Sequence, residues 1–337
     1  MTEGYVINST SVNPYDNLAL EEYLLDFCKV NKKPILYLWQ NADTVVVGKN
    51  QNVYAECNMG YMKEKGIIPS RRMTGGGAVY HDLGNVNYTI ITTRDSFDIG
   101  KNTEIIVLAL EKCGVKAFKN GRNDICTSKG KISGNAYYSD DSVGLQHGTI
   151  LWNVDTETMG HTLIVSQNKL SSKGVKSVQA RVSDVVSEND NVQISDIKNA
   201  ITESFLENFN IGQYDDHIDV DASFLKELRD KYSSEEWIGG KNRDYSYSRK
   251  NRFAWGEAEI ILLLSGRIIT EMDIYTDCID LKFVELVKSR MRFMVDSPAQ
   301  AGSGCELNEK DDYYEWMVEF ENFLKQIFLE LDVDFVE

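Results

Sequence analysis

The stretch "RRMTGGGAVYHDLGNVNYTI", residues 71 to 90, constrains the fold of this chain more than any other. Two arginines are followed, after Met73 and Thr74, by three consecutive glycines, Gly75 to Gly77, and then by a strand-like segment. Glycine loses more conformational entropy on folding than other residues and packs no side chain, so three in a row weaken local structure. A sharp hairpin would explain them, and so would a ligand that needs bare backbone within reach.

Known phosphate-binding motifs do not account for these glycines. The chain contains no GxxxxGK[ST] sequence, and a GxGxxG reading fails because the position of its last glycine is Tyr80. We therefore expect neither a P-loop nor a dinucleotide-binding fold.

Two further segments combine glycine with a polar or basic residue. "GRNDICTSKGKISGNA" (121–136) places Lys131 before a Ser-Gly-Asn turn, and "QHGTILWNV" (146–154) places His147 and Gly148 at the start of a strand. Taken singly, each fits a bend, a surface lysine or a structural histidine equally well. Together they could line one cleft with backbone amides, where a lysine would neutralise charge that develops during a reaction.

Composition excludes several classes of protein. The 337 residues include 42% hydrophobic ones, which suffices for one large domain and a smaller one. The net charge of −16 argues against general affinity for nucleic acid. The longest apolar run, Ile260 to Leu264, is too short for a membrane span, and the first residues resemble no secretion signal. Six scattered cysteines without CxxC pairs predict reduced thiols in a cytoplasmic protein.

Periodicity and turn residues predict interleaved helices and strands without a regular βα period, which indicates an α+β fold. The predicted helices cover 17–30, 56–65, 102–114, most of 156–232, 281–291 and 311–331. The predicted strands cover 34–40, 44–52, 66–73, 85–91, 123–127, 131–139, 143–154 and a hairpin within 253–276. The polar, glycine-containing stretch 238–252 predicts a boundary between a large domain, residues 1–246, and a small one, residues 253–337.

The motifs occur in an order that resembles a known family. "RRMTGGGAVYHDLGNVNYT", then "NDI", "KGKISGNA" and "HGTIL", and finally "KGVKSVQARVSDV" (173–185), resemble the lipoate–protein ligase A family. "FAWGEAEI" and the following "GRI" resemble the small C-terminal domain of its bacterial two-domain members. The resemblance implies a large mixed-sheet catalytic domain of the biotin and lipoate ligase kind, with a small α/β accessory domain.

The resemblance also implies an activity. The enzyme would use ATP, with Mg²⁺, to convert lipoate into lipoyl-AMP, and would then transfer the lipoyl group to a lysine of an acceptor protein. Acceptors would be lipoyl domains of 2-oxoacid dehydrogenases or the H protein of glycine cleavage. No nucleic-acid or membrane partner is expected.

Site residues follow from the same resemblance, position by position. Lys131 would be the catalytic residue, and the metal ligands are not identified. ATP would be held by Arg72, Gly77, Ala78, Val79, Tyr80 and Lys131. Lipoate and the adenylate would be bound by Trp39, Gly75, Gly76, Gly77, Lys131, His147 and Gly148. The composition of residues 168–181 adds a further prediction: they contain Lys169, Lys173, Lys176 and Arg181 and no acidic residue, in a protein of net charge −16. We expect this basic loop to close over lipoyl-AMP and to steer the acceptor.

Two other functions fit parts of the sequence. An acyltransferase on the same fold would move octanoyl or lipoyl groups through a cysteine thioester without ATP, and would need a nucleophilic cysteine in the pocket. A non-catalytic relative would bind lipoate or a nucleotide without turnover. No cysteine lies between Cys126 and Cys278, and Cys126 precedes Lys131 too closely to be an obvious nucleophile, which argues against the acyltransferase. The intact set of Arg72, the three glycines and Lys131 argues against the non-catalytic relative.

Overall fold

The computed structural model describes residues 2–121, 123–164, 182–240, 245–265, 268–296, 307, 310–331 and 334–335. Its helices are α1 (Pro14–Asn31), α2 (Val53–Glu56), α3 (Met59–Lys65), α4 (Ile99–Lys112), α5 (Thr156–Thr162), α6 (Val185–Glu188), α7 (Ile194–Asn208), α8 (Ala222–Ser233), α9 (Glu235–Gly239), α10 (Leu281–Asp296) and α11 (Tyr314–Leu331), with a short 3₁₀ turn at Arg94–Ser96.

Fifteen strands complete the described structure. They are β1 (Thr2–Asn8), β2 (Ile35–Trp39), β3 (Thr44–Val47), β4 (Ile68–Arg71), β5 (Val79–His81), β6 (Asn85–Thr93), β7 (Phe118–Asn120), β8 (Asp124–Cys126), β9 (Lys131–Ser139), β10 (Val143–Leu151), β11 (Ile211–Asp215), β12 (Tyr247–Phe253), β13 (Gly256–Ser265), β14 (Ile268–Thr276) and β15 (Asp334–Phe335).

The largest sheet has eight strands in the order β11-β1-β2-β6-β10-β9-β8-β7. Strand β1 pairs in parallel with both of its neighbours, β11 and β2. The remaining pairs of this order, β2-β6, β6-β10, β10-β9, β9-β8 and β8-β7, are all antiparallel. A three-stranded sheet, β4-β3-β5, accompanies it. This mixed sheet with interleaved helices confirms the predicted α+β fold.

Alternation along β2 gives the eight-stranded sheet two buried faces. Ile35, Tyr37 and Trp39 pack with residues of α1 and α8, and we call this side the α1 face. Leu36 and Leu38 pack with residues of α4 and α7 on the opposite side, the α4 face. Side chains that alternate across a strand reach both cores, and each fully buried aliphatic chain contributes about 1.5–3 kcal/mol.

Helix α1 has clear sequence signals at both ends. The side chain of Asn13 accepts the N–H of Tyr15, and Pro14 occupies the first turn. The helix ends at Lys32, whose left-handed backbone (φ 56°) lets its N–H reach the carbonyl of Cys28. Between these caps, α1 buries Glu21 among leucines on the α1 face.

Contacts divide the chain into two units. The first comprises Met1–Val47, Val53–Met73 and Ala78–Ile238 and includes the eight-stranded sheet. The second comprises Gly48–Asn52, Thr74–Gly77 and Gly239–Glu337. The two short segments therefore belong with the C-terminal part of the chain, although the sequence places them far from it.

The second unit has its own core. Strands β12 to β14 form an antiparallel sheet, and aromatic side chains from β12, α10 and α11 pack together beside it. The segment 48–52 is bound within this unit, because the N–H of Thr276 donates to the carbonyl of Asn50 (2.9 Å) and Nζ of Lys288 donates to Oδ1 of Asn50 (2.7 Å).

The predicted elements differ from the observed ones in places. The strand predicted over 44–52 ends at Val47, and the predicted linker 238–252 contains most of β12. Strand β12 is largely polar and half-exposed, so its composition resembles that of a linker. The division into domains 1–246 and 253–337 stays a prediction. Among the described residues, no helix combines the length and apolarity needed to cross a membrane.

Candidate active site

Lys131 begins β9 and forms an ion pair with Asp124 on the neighbouring strand β8. Its Nζ lies 2.7 Å from Oδ1 of Asp124, and the two side chains are 39% and 40% exposed. An exposed pair of this kind contributes at most about 1 kcal/mol, so little free energy is needed to separate it. The ammonium is therefore held in place at rest and remains available to another anion.

A β-bulge decides which face of the sheet Lys131 occupies. Asp124 pairs with Gly134 and Ile125 with Ser133, but Cys126 pairs with Lys131, which leaves Ile132 as the extra residue. Ile132 is buried in the core on the α4 face. The inserted residue changes the alternation of β9, so Lys131 lies on the same face as Gly134 and Asp124. The turn predicted at Ser133–Asn135 is wrong, because these residues continue the strand.

A buried polar network occupies the α1 face on strands β2, β6 and β10. Nε1–H of Trp39 donates to Oγ1 of Thr89 (3.0 Å), and that hydroxyl donates to Oε1 of Glu21 (2.6 Å). Nδ1 of His147 lies 2.8 Å from the same oxygen, and it must carry a proton because an ionised carboxylate only accepts. We call Trp39, Thr89, Glu21 and His147 the Glu21 network.

Two further side chains, Arg72 and His81, interact electrostatically with members of this network. Arg72 is buried, donates from NH1 to the carbonyl of Val46, and has its pKa lowered to about 10 by burial, with the Glu21 carboxylate opposing the shift. It stays cationic at neutral pH. Burial, with smaller electrostatic contributions from Arg72 and His147, lowers the pKa of His81 to about 3. His81 is therefore neutral, and its Nδ1 lies 3.1 Å from Nδ2 of Asn41.

The predicted nucleotide-binding run Ala78 to Tyr80 leads into β5, an edge strand of the three-stranded sheet. Val79 pairs with Val46 and Tyr80 with Val45. The hydroxyl of Tyr80 donates to Oδ1 of Asp43 at 2.9 Å. Only one side of an edge strand is used by the sheet, so its alternate backbone groups point away from β3.

The three glycines have different physical explanations within the second unit. A Cβ on Gly75 would lie 2.5 Å from the carbonyl oxygen of Cys278, a backbone atom that cannot move aside. Gly76 has φ of +90°, which strongly favours glycine, and its N–H donates to that same carbonyl (3.3 Å). A Cβ on Gly77 would meet no described atom within 4 Å. Chain packing thus accounts for Gly75 and the positive φ for Gly76, whereas neither reason applies to Gly77.

Gly148 lies on the other face of the sheet from His147. It pairs with Asn135, and a Cβ there would fall 2.4 Å from the hydroxyl of Tyr88 and 2.6 Å from Oδ1 of Asn135. Tyr88 belongs to the core on the α4 face. The structure therefore groups Trp39, His147 and Lys131 on one face and Gly148 on the other, and the predicted ligand role of Gly148 stays a prediction.

Lys169, Lys173, Lys176 and Arg181, the predicted acceptor loop, lie outside the described residues. Arg71, which suggested an anion site in the sequence, donates from Nε to the carbonyl of Trp237 (2.8 Å) and from NH2 to that of Ile238 (2.7 Å). These contacts hold the end of α9, so Arg71 has a structural role.

Glu21 is a residue of the site that no sequence motif indicated. It lies in "NLALEEYLL" beside Glu22, and only its spacing from the leucines distinguishes it from that neighbour. Glu21 follows Leu18 by three residues and precedes Leu25 by four, so all three lie on one side of a helix. A carboxylate at that spacing within an apolar stripe is the signal that could have identified it.

The described residues contain no metal-binding cluster, and two of their cysteines are poor nucleophiles. No group of three His, Cys, Asp or Glu side chains in these ranges could hold a metal ion. Burial raises the pKa of the Cys28 thiol to about 11 and that of Cys57 to about 12. Thiolate is the nucleophilic form, so neither of these two cysteines suits thioester chemistry.

The geometry can be compared with known proteins. Residues 13–206 match the family model described as the lipoyl protein ligase A/B catalytic domain, and residues 242–292 match that of the bacterial lipoate protein ligase C-terminus. A curated lipoate-protein ligase A of Psychrobacter cryohalolentis is 32% identical over 331 residues, which cover 93% of this chain and 97% of that protein.

Solved structures agree with these matches. P. falciparum LipL1 in complex with lipoate is 28% identical, with a TM-score of 0.79, covering 96% of this chain and 99% of that chain. A lipoate-protein ligase A bound with ATP is 30% identical (TM-score 0.63; 70% and 99% covered). A bi-partite ligase of Thermoplasma acidophilum, studied with its E2 lipoyl domain, is 31% identical (TM-score 0.65; 73% and 100% covered).

The family-model match over the sheet and its helices defines a ligase-type catalytic domain. The chain belongs to the lipoate–protein ligase A family, of the type that also has the bacterial C-terminal domain. The resemblance in the sequence and the predicted enzyme class, a lipoate–protein ligase, are confirmed.

Proposed function

We propose that the protein attaches lipoate to acceptor proteins in two half-reactions. A carboxylate oxygen of lipoate attacks the α-phosphorus of ATP, the bond to the bridging oxygen breaks, and pyrophosphate leaves. The neutral amine of an acceptor lysine then attacks the acyl carbonyl of lipoyl-AMP, loses a proton, and AMP leaves. Family membership supports this scheme, as do the relatives solved with lipoate and with ATP.

The observation that carries the proposal is the weakly held ammonium of Lys131 on the α1 face. Separated from Asp124, it would donate to a non-bridging oxygen of the α-phosphate and to the acyl oxygen. Negative charge grows on these oxygens in both transition states, and a donor already in position stabilises it. Such a contact contributes about 10²–10³ in rate. The half-exposed pair with Asp124 makes this exchange of partners inexpensive.

ATP would be held by Arg72 and the run from Gly77 to Tyr80. Arg72 remains cationic despite burial, and β5 offers outward-pointing backbone groups at an edge. The predicted ATP-binding role of Gly77 is supported by family membership and by the space beside its Cα, where packing gives no reason for glycine. Mg²⁺ would enter with ATP as part of the substrate complex, since this ion binds mainly through phosphate oxygens and water.

The apolar tail of lipoate would lie along the α1 face towards the Glu21 network. Trp39 would supply an apolar wall, and its contact with Thr89 fixes the ring. The contact with Glu21 would fix the ring of His147 beside the ligand. The adenylate roles of Gly75, Gly76 and Gly148 rest on family membership alone.

Acceptors would be lipoyl domains of 2-oxoacid dehydrogenases and the H protein of glycine cleavage. The archaeal relative studied with its E2 lipoyl domain supports an acceptor of this class. The basic residues Lys169, Lys173, Lys176 and Arg181 would attract an acidic acceptor to a protein whose net charge is −16.

The first test is to incubate the purified protein with ATP, Mg²⁺ and lipoate, without acceptor. We expect lipoyl-AMP by mass spectrometry and pyrophosphate in equal amount. An acyltransferase would move an acyl group from a donor protein without ATP, and a binding protein would release no pyrophosphate. Either of those results would replace the ligase proposal.

A further inference from the structure

Gly134 lies inside β9, where glycine weakens a strand and packs no side chain. Its backbone does not require glycine, because it is not among the residues with positive φ. Its N–H donates to Oγ1 of Thr149 at 3.2 Å, a contact that any residue other than proline could make. Strand geometry therefore gives no reason for glycine at this position.

The space beside Gly134 does give a reason. An ideal Cβ built on this residue would lie 2.9 Å from Nζ and 3.0 Å from Cε of Lys131, and it would meet no other described atom within 4 Å. Gly134 pairs directly with Asp124, the partner of Lys131. The lysine side chain thus crosses the bare Cα of Gly134 to reach the carboxylate.

We infer that Gly134 is a positioning residue for Lys131: the missing methyl group lets the lysine lie flat against β9, on the face to which the bulge directs it. The catalytic consequence rests on the proposed function, in which this ammonium contacts the acyl-phosphate group. An alanine would move the end of a flexible side chain, not the backbone. The fold should therefore survive while the ammonium leaves its position.

The test compares Gly134→Ala with two other glycines of the full chain. Gly60→Ala is the neutral control, because its Cβ would come no closer than 3.7 Å to any described atom. Gly144→Ala is the control for packing damage, because its Cβ would lie 2.1 Å from the ring of Phe97. Only Gly144→Ala should lower the thermal midpoint substantially.

For Gly134→Ala we expect kcat for lipoyl-AMP formation to fall about 10- to 100-fold, because displacing a reacting group by about 1 Å has an effect of this size. The KM values for ATP and lipoate should stay within about threefold of the wild-type values. The double variant Gly134→Ala/Lys131→Ala should form lipoyl-AMP at the same residual rate as Lys131→Ala alone, because a positioning residue acts only through the group that it positions.

Three results would overturn the inference: an unchanged kcat, a loss of thermal stability like that of Gly144→Ala, or an additional loss in the Lys131→Ala background. A crystal structure of Gly134→Ala separates this inference from the proposed function. We expect Nζ of Lys131 to be displaced from the carboxylate of Asp124. An intact 2.7 Å pair there would refute the positioning role even if the protein made no lipoyl-AMP.

Discussion

Glu21 and Asp124 each bind a basic side chain on the α1 face of the eight-stranded sheet, but their surroundings differ. Glu21 is fully buried, and one of its oxygens accepts both the hydroxyl of Thr89 and Nδ1–H of His147. Asp124 is 40% exposed and holds only the ammonium of Lys131 among the described residues. Burial makes the first contact rigid and costly to break, whereas exposure makes the second easy to exchange.

Under the proposed function, this difference fits separate tasks for the two contacts. A residue that only shapes a binding site benefits from a fixed rotamer, which the hydrogen bonds of the Glu21 network provide. A residue that must contact charge developing in two successive reactions has to leave its resting partner at little cost. The predictions below test whether stability depends on Glu21 and catalysis on Lys131.

The largest effect is expected for Lys131→Ala. Pyrophosphate release with ATP and lipoate should fall by about 10²–10³, because one preorganised donor is lost. The thermal midpoint should stay close to that of the wild type, since an exposed ion pair contributes little. Lys129→Ala is the matched control, because Lys129 lies nearby, is exposed and contacts Ser187 and Glu188. Near-normal pyrophosphate release by Lys131→Ala would remove the basis for the assigned task.

Glu21→Ala should be the most destabilising of these changes. It leaves the hydroxyl of Thr89 and Nδ1–H of His147 buried without an acceptor, which we expect to lower the free energy of unfolding by about 3–5 kcal/mol. Denaturant unfolding measures this loss. The neighbouring Glu22→Ala serves as control, because its partner Lys231 is 34% exposed and its loss should be under about 1 kcal/mol. Equal losses would mean that burial does not distinguish the two contacts.

His81 should make folding of the buried region depend on pH. Its pKa is about 3 in the folded protein and near 6.5 when unfolded, so the unfolded chain binds the extra proton first as pH falls. The free energy of unfolding should therefore decrease between pH 6.5 and pH 3, by up to about 1.4 kcal/mol per pH unit from this residue. His81→Gln should show a shallower decrease. The exposed His161→Gln should keep the wild-type slope, and identical slopes in all three proteins would contradict the assignment.

Asp124→Asn should have the smallest effect on stability. The pair is half-exposed, so the free energy of unfolding should change by less than about 1 kcal/mol. A loss approaching that of Glu21→Ala would show that the Lys131 pair is structural, and the comparison between the two contacts would fail.

The sequence indicated Lys131 as the candidate catalytic residue, because its motif is local, and this assignment stays a prediction. Lys131, Gly134 and Asp124 lie within a short stretch, and the order of such stretches was enough to indicate the family. The sequence did not reveal the bulge at Ile132, because "KISGNA" fits both a turn and a strand. Pairing with β8 decides between these two structures. A glycine inside a strand was the available signal for a bulge or for a close approach.

Contacts between distant residues could not be predicted in the same way. Glu21 and His147 are 126 positions apart, and the short segments 48–52 and 74–77 belong with strands and helices that begin beyond residue 239. The need for glycine at Gly75 comes from the carbonyl of Cys278, which no local pattern contains. Sequence periodicity gives the face on which a residue lies but not its partner from another element.

The measurement that tests the central claim most directly is single-turnover transfer from preformed lipoyl-AMP to an acceptor lipoyl domain, read by the mass of the acceptor. This isolates the second half-reaction from ATP binding and from adenylate formation. If Lys131 stabilises both transition states, Lys131→Ala should slow transfer by about the same 10²–10³ as it slows pyrophosphate release, while Lys129→Ala transfers normally. Normal transfer by Lys131→Ala would contradict the claim that one ammonium serves both half-reactions.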